Sequence, residues 1–232
     1  MLTFDRALSG ASVDDDLFEM PAEVDVQFVK VGGQIPVILI DGIFKRPDEI
    51  REAALRLPYS PPPYPYPGKL AAIPEPNGSL AEVRRKMLNL VNSQYLSRLP
   101  IAKDGRRIPA FRQLHTDFAV VDVHPDDLSA AQRLPHTDPV PVFGLVYLNR
   151  EERGGTLFFR QRGDPVEDGQ EGGYLTASND AFELLGRIEP AYNRLAIYPG
   201  FIPHSGEIAG DWIRGSDRFD SPRLTQRLVF LS

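Results

Sequence analysis

The stretch Val142-Phe-Gly-Leu-Val-Tyr-Leu-Asn149, followed by Gly154-Gly155-Thr156-Leu-Phe-Phe159, decides the fold class. Each apolar run is too short for an ordinary helix, and the glycine pair between them reaches backbone conformations that tight turns need. Working outward, the same rhythm recurs at Phe118–Val123, Arg194–Tyr198 and Leu224–Leu231, with Pro199-Gly200 as a further turn signal. Short runs punctuated in this way predict an antiparallel sandwich or jelly roll over 111–232, not alternating β-α units.

The preceding region has a different character. Val24–Val31 alternates apolar and polar residues, Gly32-Gly33 turns the chain, and Pro36–Ile40 supplies a hairpin partner. Pro47, Asp48 and Glu49 open a helix expected to reach Leu57, because proline and acids suit a first turn. Pro58–Gly68 carries six prolines in eleven positions and reads as an extended, rigid connector, or as a loop whose tyrosines edge a substrate cleft. Ser79-Leu-Ala-Glu82 has the spacing of a capping box before a helix running to Leu99, with Leu80, Val83, Met87, Val91 and Tyr95 on its core face. The expected fold is an all-β core with flanking helices, the two N-terminal helices packed on one sheet. Residues 1–22, acidic and aperiodic, are expected to form a loose arm. Residues 23–232 are expected to form one domain, with a helical and Pro-rich support at 23–110 and the jelly-roll core at 111–232.

Composition narrows the chemistry. The 232 residues include no cysteine and four histidines, His115, His124, His136 and His204. A thiolate nucleophile, zinc ribbon or iron–sulfur cluster is excluded, and any metal site must use imidazole and oxygen ligands. A net charge of −6 argues against a nucleic-acid partner, whose backbone is bound through a basic surface. The longest apolar runs are four residues, far short of the ~20 that a spanning helix requires. With an acidic start lacking the pattern of a secretory signal, the expected location is cytoplasmic and no membrane partner is expected.

The tripeptide His-Thr-Asp occurs twice, at His115-Thr116-Asp117 and His136-Thr137-Asp138. On a strand, residues two apart share a face, so either pair can present an imidazole and a carboxylate together. Two imidazoles and one carboxylate on one face of iron(II) leave three positions open for co-substrate and oxygen. The tripeptides themselves leave the choice between them open. His124, followed by Pro125-Asp126-Asp127, reads as a solvated loop histidine.

The order of motifs carries more. His136-Thr-Asp138, Tyr147-Leu-Asn149, Gly154-Gly-Thr156, Arg194-Leu-Ala-Ile-Tyr-Pro-Gly200, His204 and the closing Arg223-Leu-Thr-Gln226 stand in a sequence that resembles the iron(II)/2-oxoglutarate-dependent oxygenases. The likeness is nearest to their prolyl 4-hydroxylase-like branch and its small bacterial members, and covers roughly 111–232. It implies a double-stranded β-helix of jelly-roll or cupin-like type, with iron(II), 2-oxoglutarate and O₂ as cofactor and co-substrates. In that family the Tyr-Leu-Asn strand closely follows the metal-binding His-x-Asp. Tyr147 lies 11 residues beyond His136 but 32 beyond His115, so the resemblance assigns His136, Asp138 and His204 as catalytic iron ligands. His115 and Asp117 are then expected to be a satisfied polar pair near a strand end, or part of a substrate pocket.

The resemblance also assigns a co-substrate site. Arg223 and Arg227, four apart, share a strand face, and their pattern does not separate them as partners for the 2-oxoglutarate carboxylate. Family position favours Arg223, with Thr225 as a hydroxyl donor and Tyr147 as a second contact. The intervening Glu207–Asp220 is longer than in close prolyl hydroxylases and reads as a lid carrying Trp212. The glycine pair at 154–155 is expected to serve the turn alone. The implied reaction is hydroxylation of an amino acid, a peptide or another small metabolite, coupled to conversion of 2-oxoglutarate to succinate and CO₂. Asp138 fills the position that halogenating relatives leave to halide. The alternative reading is a non-catalytic, metal-binding jelly-roll protein. No nucleotide-binding glycine motif or nucleophile elbow points elsewhere. Oligomeric state is not legible.

Overall fold

The computed structural model describes residues 14–99, 107–151, 153–163, 173–208 and 222–232. The hairpin read at the start is present as β1 (Val26–Val31) and β2 (Ile35–Ile40), paired antiparallel with Val31 opposite Ile35. Helix α1 (Pro47–Leu55) follows with proline in its first turn, then β3 (Lys69–Ala72) and helix α2 (Gly78–Leu90). Beyond them come β4 (Gln113–Val121), a four-residue helix α3 (Ala130–Arg133), β5 (Val142–Tyr147), β6 (Thr156–Gln161) and β7 (Phe182–Ile188). The chain closes with β8 (Arg194–Pro199), β9 (His204–Gly206) and β10 (Arg223–Leu231).

These strands form two sheets, of order β1-β2-β8-β5-β10-β4-β3 and β7-β6-β9. Every pairing is antiparallel, as in a jelly roll. The large sheet is covered on both faces, and the period-two rule sorts its residues between them. Val142, Val146, Leu195, Ile197, Leu224 and Leu228 pack with the helical residues Ile50, Leu80, Val83, Met87 and Tyr95 in one core. Their neighbours Phe143, Leu145, Tyr147, Ala196 and Tyr198 turn the other way, toward Phe158 of the small sheet. All six residues of β5 are buried, which is why it reads as an unbroken apolar run. Among the described residues no helix is long and apolar enough to cross a membrane.

Three expectations need correction. The loose arm expected through residue 22 does not extend over 17–20, because Leu17, Phe18 and Met20 are buried in the helix-side core. Asp15 accepts from the Gly78 N–H at 2.5 Å through its carboxylate and from the Ser79 N–H at 3.0 Å through its carbonyl. Asp15 thus satisfies exposed donors at the start of α2. Second, the N-cap of α2 is Asn77, whose side chain accepts from the Leu80 N–H at 2.9 Å, while Ser79 Oγ accepts from the Phe18 N–H instead. Third, α2 does not run regularly to Leu99. It widens into a π turn over Val91–Tyr95 and tightens to 3₁₀ over Leu96–Arg98, while Leu80, Val83, Met87, Val91 and Tyr95 all remain buried. The strands β3, β7 and β9 carried no signal strong enough to read in advance.

Candidate metal centre and cavity

A direct backbone bridge brings the distant histidines together. The N–H of His136 donates to the His204 carbonyl at 2.9 Å, and the N–H of His204 returns a bond to the His136 carbonyl at 2.8 Å. Two residues on, the Asp138 N–H donates to the Gly200 carbonyl at 2.8 Å, so Asp138 follows His136 in an extended segment and shares its face. The ring centroids of His136 and His204 lie 4.7 Å apart. One ligand atom from each of His136, Asp138 and His204 can be chosen so that all lie within 4.8 Å of one another.

The side chains are arranged for a cation. His204 Nδ1 is 2.8 Å from the Ile202 carbonyl, a contact that places the proton on Nδ1 and leaves the Nε2 lone pair free. That Nε2 faces Asp138 Oδ2 at 3.2 Å, and Oδ2 is buried with no hydrogen-bond partner. A lone pair set against an unsatisfied carboxylate oxygen is costly unless a cation lies between them. His136 opens onto the cavity yet is enclosed by protein, and desolvation, reinforced by the His204 ring, pushes its pKa down to about 4. Its imidazole is therefore neutral at physiological pH, the form that ligates a metal. Two imidazole nitrogens and one carboxylate oxygen are the donor set of a facial triad, and the residues present fit a divalent metal ion of the iron(II) type.

The cluster lies in a cavity of ≈ 590 Å³ between the two sheets. Phe143 and Tyr198 flank the cluster, with the Tyr198 ring 5.1 Å from His204, and burial raises the Tyr198 phenol well above its ordinary range, so it stays protonated. Arg223, at the start of β10, lines the same cavity and is 5% exposed. Its Nε–H donates to the Gly154 carbonyl at 2.8 Å and Nη2–H to the Gly155 carbonyl at 3.3 Å. No carboxylate among the described residues pairs with it. Arg227, two turns of the pleat along, is already paired with Asp117 through Nε and Nη2, at 2.7 and 2.6 Å. The tertiary structure thereby separates two arginines that the pattern left equivalent.

Glycines make room for Arg223. A Cβ on Gly206 would stand 3.0 Å from Arg223 Cζ, and one on Gly154, which has φ +80°, would stand 3.2 Å from Arg223 Cδ. The glycine pair expected to serve only the turn therefore also supplies the carbonyls and the space that hold this guanidinium. Tyr147 and Thr225 lie opposite each other on the cavity side of β5 and β10, but behind the cavity wall. The Tyr147 hydroxyl meets Thr156 Oγ1 at 2.7 Å, and it is Thr156 that reaches the cavity. The Arg223 guanidinium lies 6.0 Å from the centre of the Tyr147 ring.

His115 and Asp117 stand on β4 and line the cavity, so both are part of the pocket, and Asp117 is satisfied by Arg227. Tyr64 and Tyr66 of the Pro-rich segment line it too, the minor of the two readings of that loop. His124 caps a 3₁₀ turn, its Nδ1 accepting from the Asp126 N–H at 3.2 Å. Most of the expected lid with Trp212 lies outside the described residues. Tyr198, Gly206 and Thr156 are among the cavity residues that sequence reasoning did not single out. The one signal for Tyr198 was its place inside Arg194-Leu-Ala-Ile-Tyr-Pro-Gly200.

Fold and cluster together define a jelly-roll protein with a His/Asp/His facial-triad-like metal site. The chain belongs to DUF6445, described as a family of unknown function, which it matches over residues 22–230. No curated protein matches it. Among solved structures it is similar to one titled selenomethionine-labelled Fe(II)/(alpha)ketoglutarate-dependent dioxygenase TqaL. The identity is 11%, with 80% of this chain and 73% of that chain covered at a TM-score of 0.37.

Proposed function

We propose that the protein is an iron(II)- and 2-oxoglutarate-dependent dioxygenase that hydroxylates a small molecule or peptide. The observation that carries this reading is the pairing, in one cavity, of the His136/Asp138/His204 cluster with Arg223, a buried guanidinium lacking a carboxylate partner among the described residues. Such a cation stabilises a ligand that brings its own carboxylate, and Arg's planar fork meets one with parallel hydrogen bonds. His136, Asp138 and His204 would hold the iron; Arg223 would hold the far carboxylate of 2-oxoglutarate, with Thr156 beside it and Tyr147 and Thr225 fixing that wall. Bound iron would supply oxygen activation coupled to decarboxylation of the co-substrate. The chain's own part is orientation and exclusion of water. The Ile202 carbonyl holds the His204 ring, the Gly154 and Gly155 carbonyls hold Arg223, and Phe143 and Leu145 keep the space between them apolar.

Anaerobic addition of iron(II) and then 2-oxoglutarate is expected to produce a visible metal-to-ligand charge-transfer band. Metal bound without that band would overturn the oxygenase reading in favour of a non-catalytic metal-binding jelly roll.

A further inference from the structure

The second His-Thr-Asp lines the cavity without joining the metal cluster. Asp117 and Arg227 face each other across β4 and β10, joined by two hydrogen bonds, with side chains only 9% and 12% exposed. Both line the cavity, so an ion pair is built into its wall. Each Asp117 oxygen accepts one bond from Arg227 and retains a further lone pair, and the guanidinium, with a third contact to Tyr64 Oη at 3.3 Å, retains N–H groups. His115 Nε2 lies 3.5 Å from Asp117 Oδ2 at the more open end.

We infer that this ion pair is the head-group site for a zwitterion, and that the substrate is a free α-amino acid with an apolar side chain. The substrate ammonium sits against Asp117 and its carboxylate against Arg227. A ligand with a single charge meets only one member of the pair, whereas a zwitterion answers both. The apolar side chain follows from the path to the metal cluster. Val229 is next to Arg227 on the cavity face of β10, and its partner on β5 is Phe143, which in turn pairs with Tyr198 beside His204. From Arg227, two residues along β10 and one strand across reach Phe143 at roughly 8 Å between Cα positions, and one more strand across, to Tyr198 beside the cluster, brings the span to about 12 Å. That path is lined by Val229, Phe143 and Leu145, so a hydrocarbon chain fits it and a polar one is penalised. The inference deepens the oxygenase reading by naming the substrate class of the same cavity, and rests on it for the reacting end.

Calorimetric titration tests the head-group site on the unaltered protein, both metal-free and with manganese(II) and 2-oxoglutarate. The probes are L-leucine, L-isoleucine, L-methionine and L-phenylalanine. For the tightest of them, the amide and the deaminated acid are added. At least one amino acid is expected to bind, with affinity falling tenfold or more when either charge is removed. The double variant Asp117→Asn/Arg227→Gln, which leaves neither charge unpaired, is expected to lose the amino acid and keep manganese(II). Binding of none of the four under either condition, or a single-charge analogue within tenfold of its parent, overturns the inference. Should the double variant not fold, the ligand series decides alone. Amino-acid binding without the charge-transfer band would overturn the oxygenase reading and leave the head-group site standing. The band without amino-acid binding would do the reverse.

Discussion

Arg223 and Arg227 share one face of one strand, and their fates differ because of what stands opposite. Arg227 meets Asp117 in register, while Arg223 meets Val121 and turns instead into the glycine slot at 154, 155 and 206. A guanidinium held by carbonyls, with no carboxylate paired to it among the described residues, suits a site awaiting a carboxylate. Gly206→Ala places a methyl 3.0 Å from the Arg223 carbon and must push it aside. The expected result, by calorimetry, is a tenfold or greater loss of 2-oxoglutarate affinity, roughly 1.4 kcal/mol, with manganese(II) binding unchanged. Equal weakening of both would show that the slot does not act through Arg223. The asymmetry between the two arginines was invisible in Arg223-Leu-Thr-Gln-Arg227, since it depends on Asp117, 110 positions from Arg227, and on glycines elsewhere in the chain.

Elements are positioned by polar groups at their ends. Asn149 follows β5; its side chain donates to the Pro222 carbonyl at 2.7 Å and accepts from the Leu224 N–H at 3.0 Å. It thereby pins the start of β10 and with it Arg223. Asn149→Ala leaves a buried carbonyl and N–H unpaired, an expected loss of about 2–3 kcal/mol in urea unfolding, together with weaker 2-oxoglutarate binding. At the far end of the large sheet, Arg194 of β8 holds Asp41, just after β2, through two bonds of 2.5 and 2.9 Å. The hydrogen bond from Arg194 lowers the Asp41 pKa in the folded protein. A depressed folded pKa gives stability that is full above the ordinary aspartate range and lost as pH falls through the folded value. Asp41 is half exposed, so Asp41→Asn is expected to cost only about 0.5 kcal/mol at pH 7. The difference from the unaltered protein should shrink as pH falls below the ordinary aspartate value of 3.8 and vanish at the acid end, where Asp41 is protonated in the folded protein as well. A difference that persists there would assign the effect to packing.

At the scale of the molecule, β4, β5, β8 and β10 form a frame buried on both faces, helices on one side and the cavity on the other. The small sheet brings His204 across from that frame, through Phe158 opposite His204 in the β6–β9 pairing. Metal binding to the folded protein alone should stabilise it, by about 2.7 kcal/mol at a hundredfold excess over Kd. Manganese(II) is therefore expected to raise the unfolding temperature of the unaltered protein and of His115→Ala, and to leave that of His136→Ala and His204→Ala where it was. A shift lost in His115→Ala would give the metal to the other tripeptide.

The sequence by itself pointed to the class of fold, and its resemblance to the oxygenases singled out His136, Asp138 and His204, which the structure brings together. Both rest on short-range signals: run lengths, turn residues, the two-residue period within His136-Thr-Asp138, and the order in which motifs follow one another. Only the tertiary structure showed that Arg227 is paired with Asp117 while Arg223 meets no carboxylate among the described residues, and why the glycines matter. It alone drew the tyrosines of the proline-rich loop and the second His-Thr-Asp into the cavity, and docked 17–20 in the core. Those features arise from pairing between strands distant in the chain, and a local pattern holds no record of which residue will stand across the sheet. The capping of α2 has the same origin: Asn77 and Asp15 supply what Ser79 and Glu82 had the spacing to supply, because the arm folds back onto the helix.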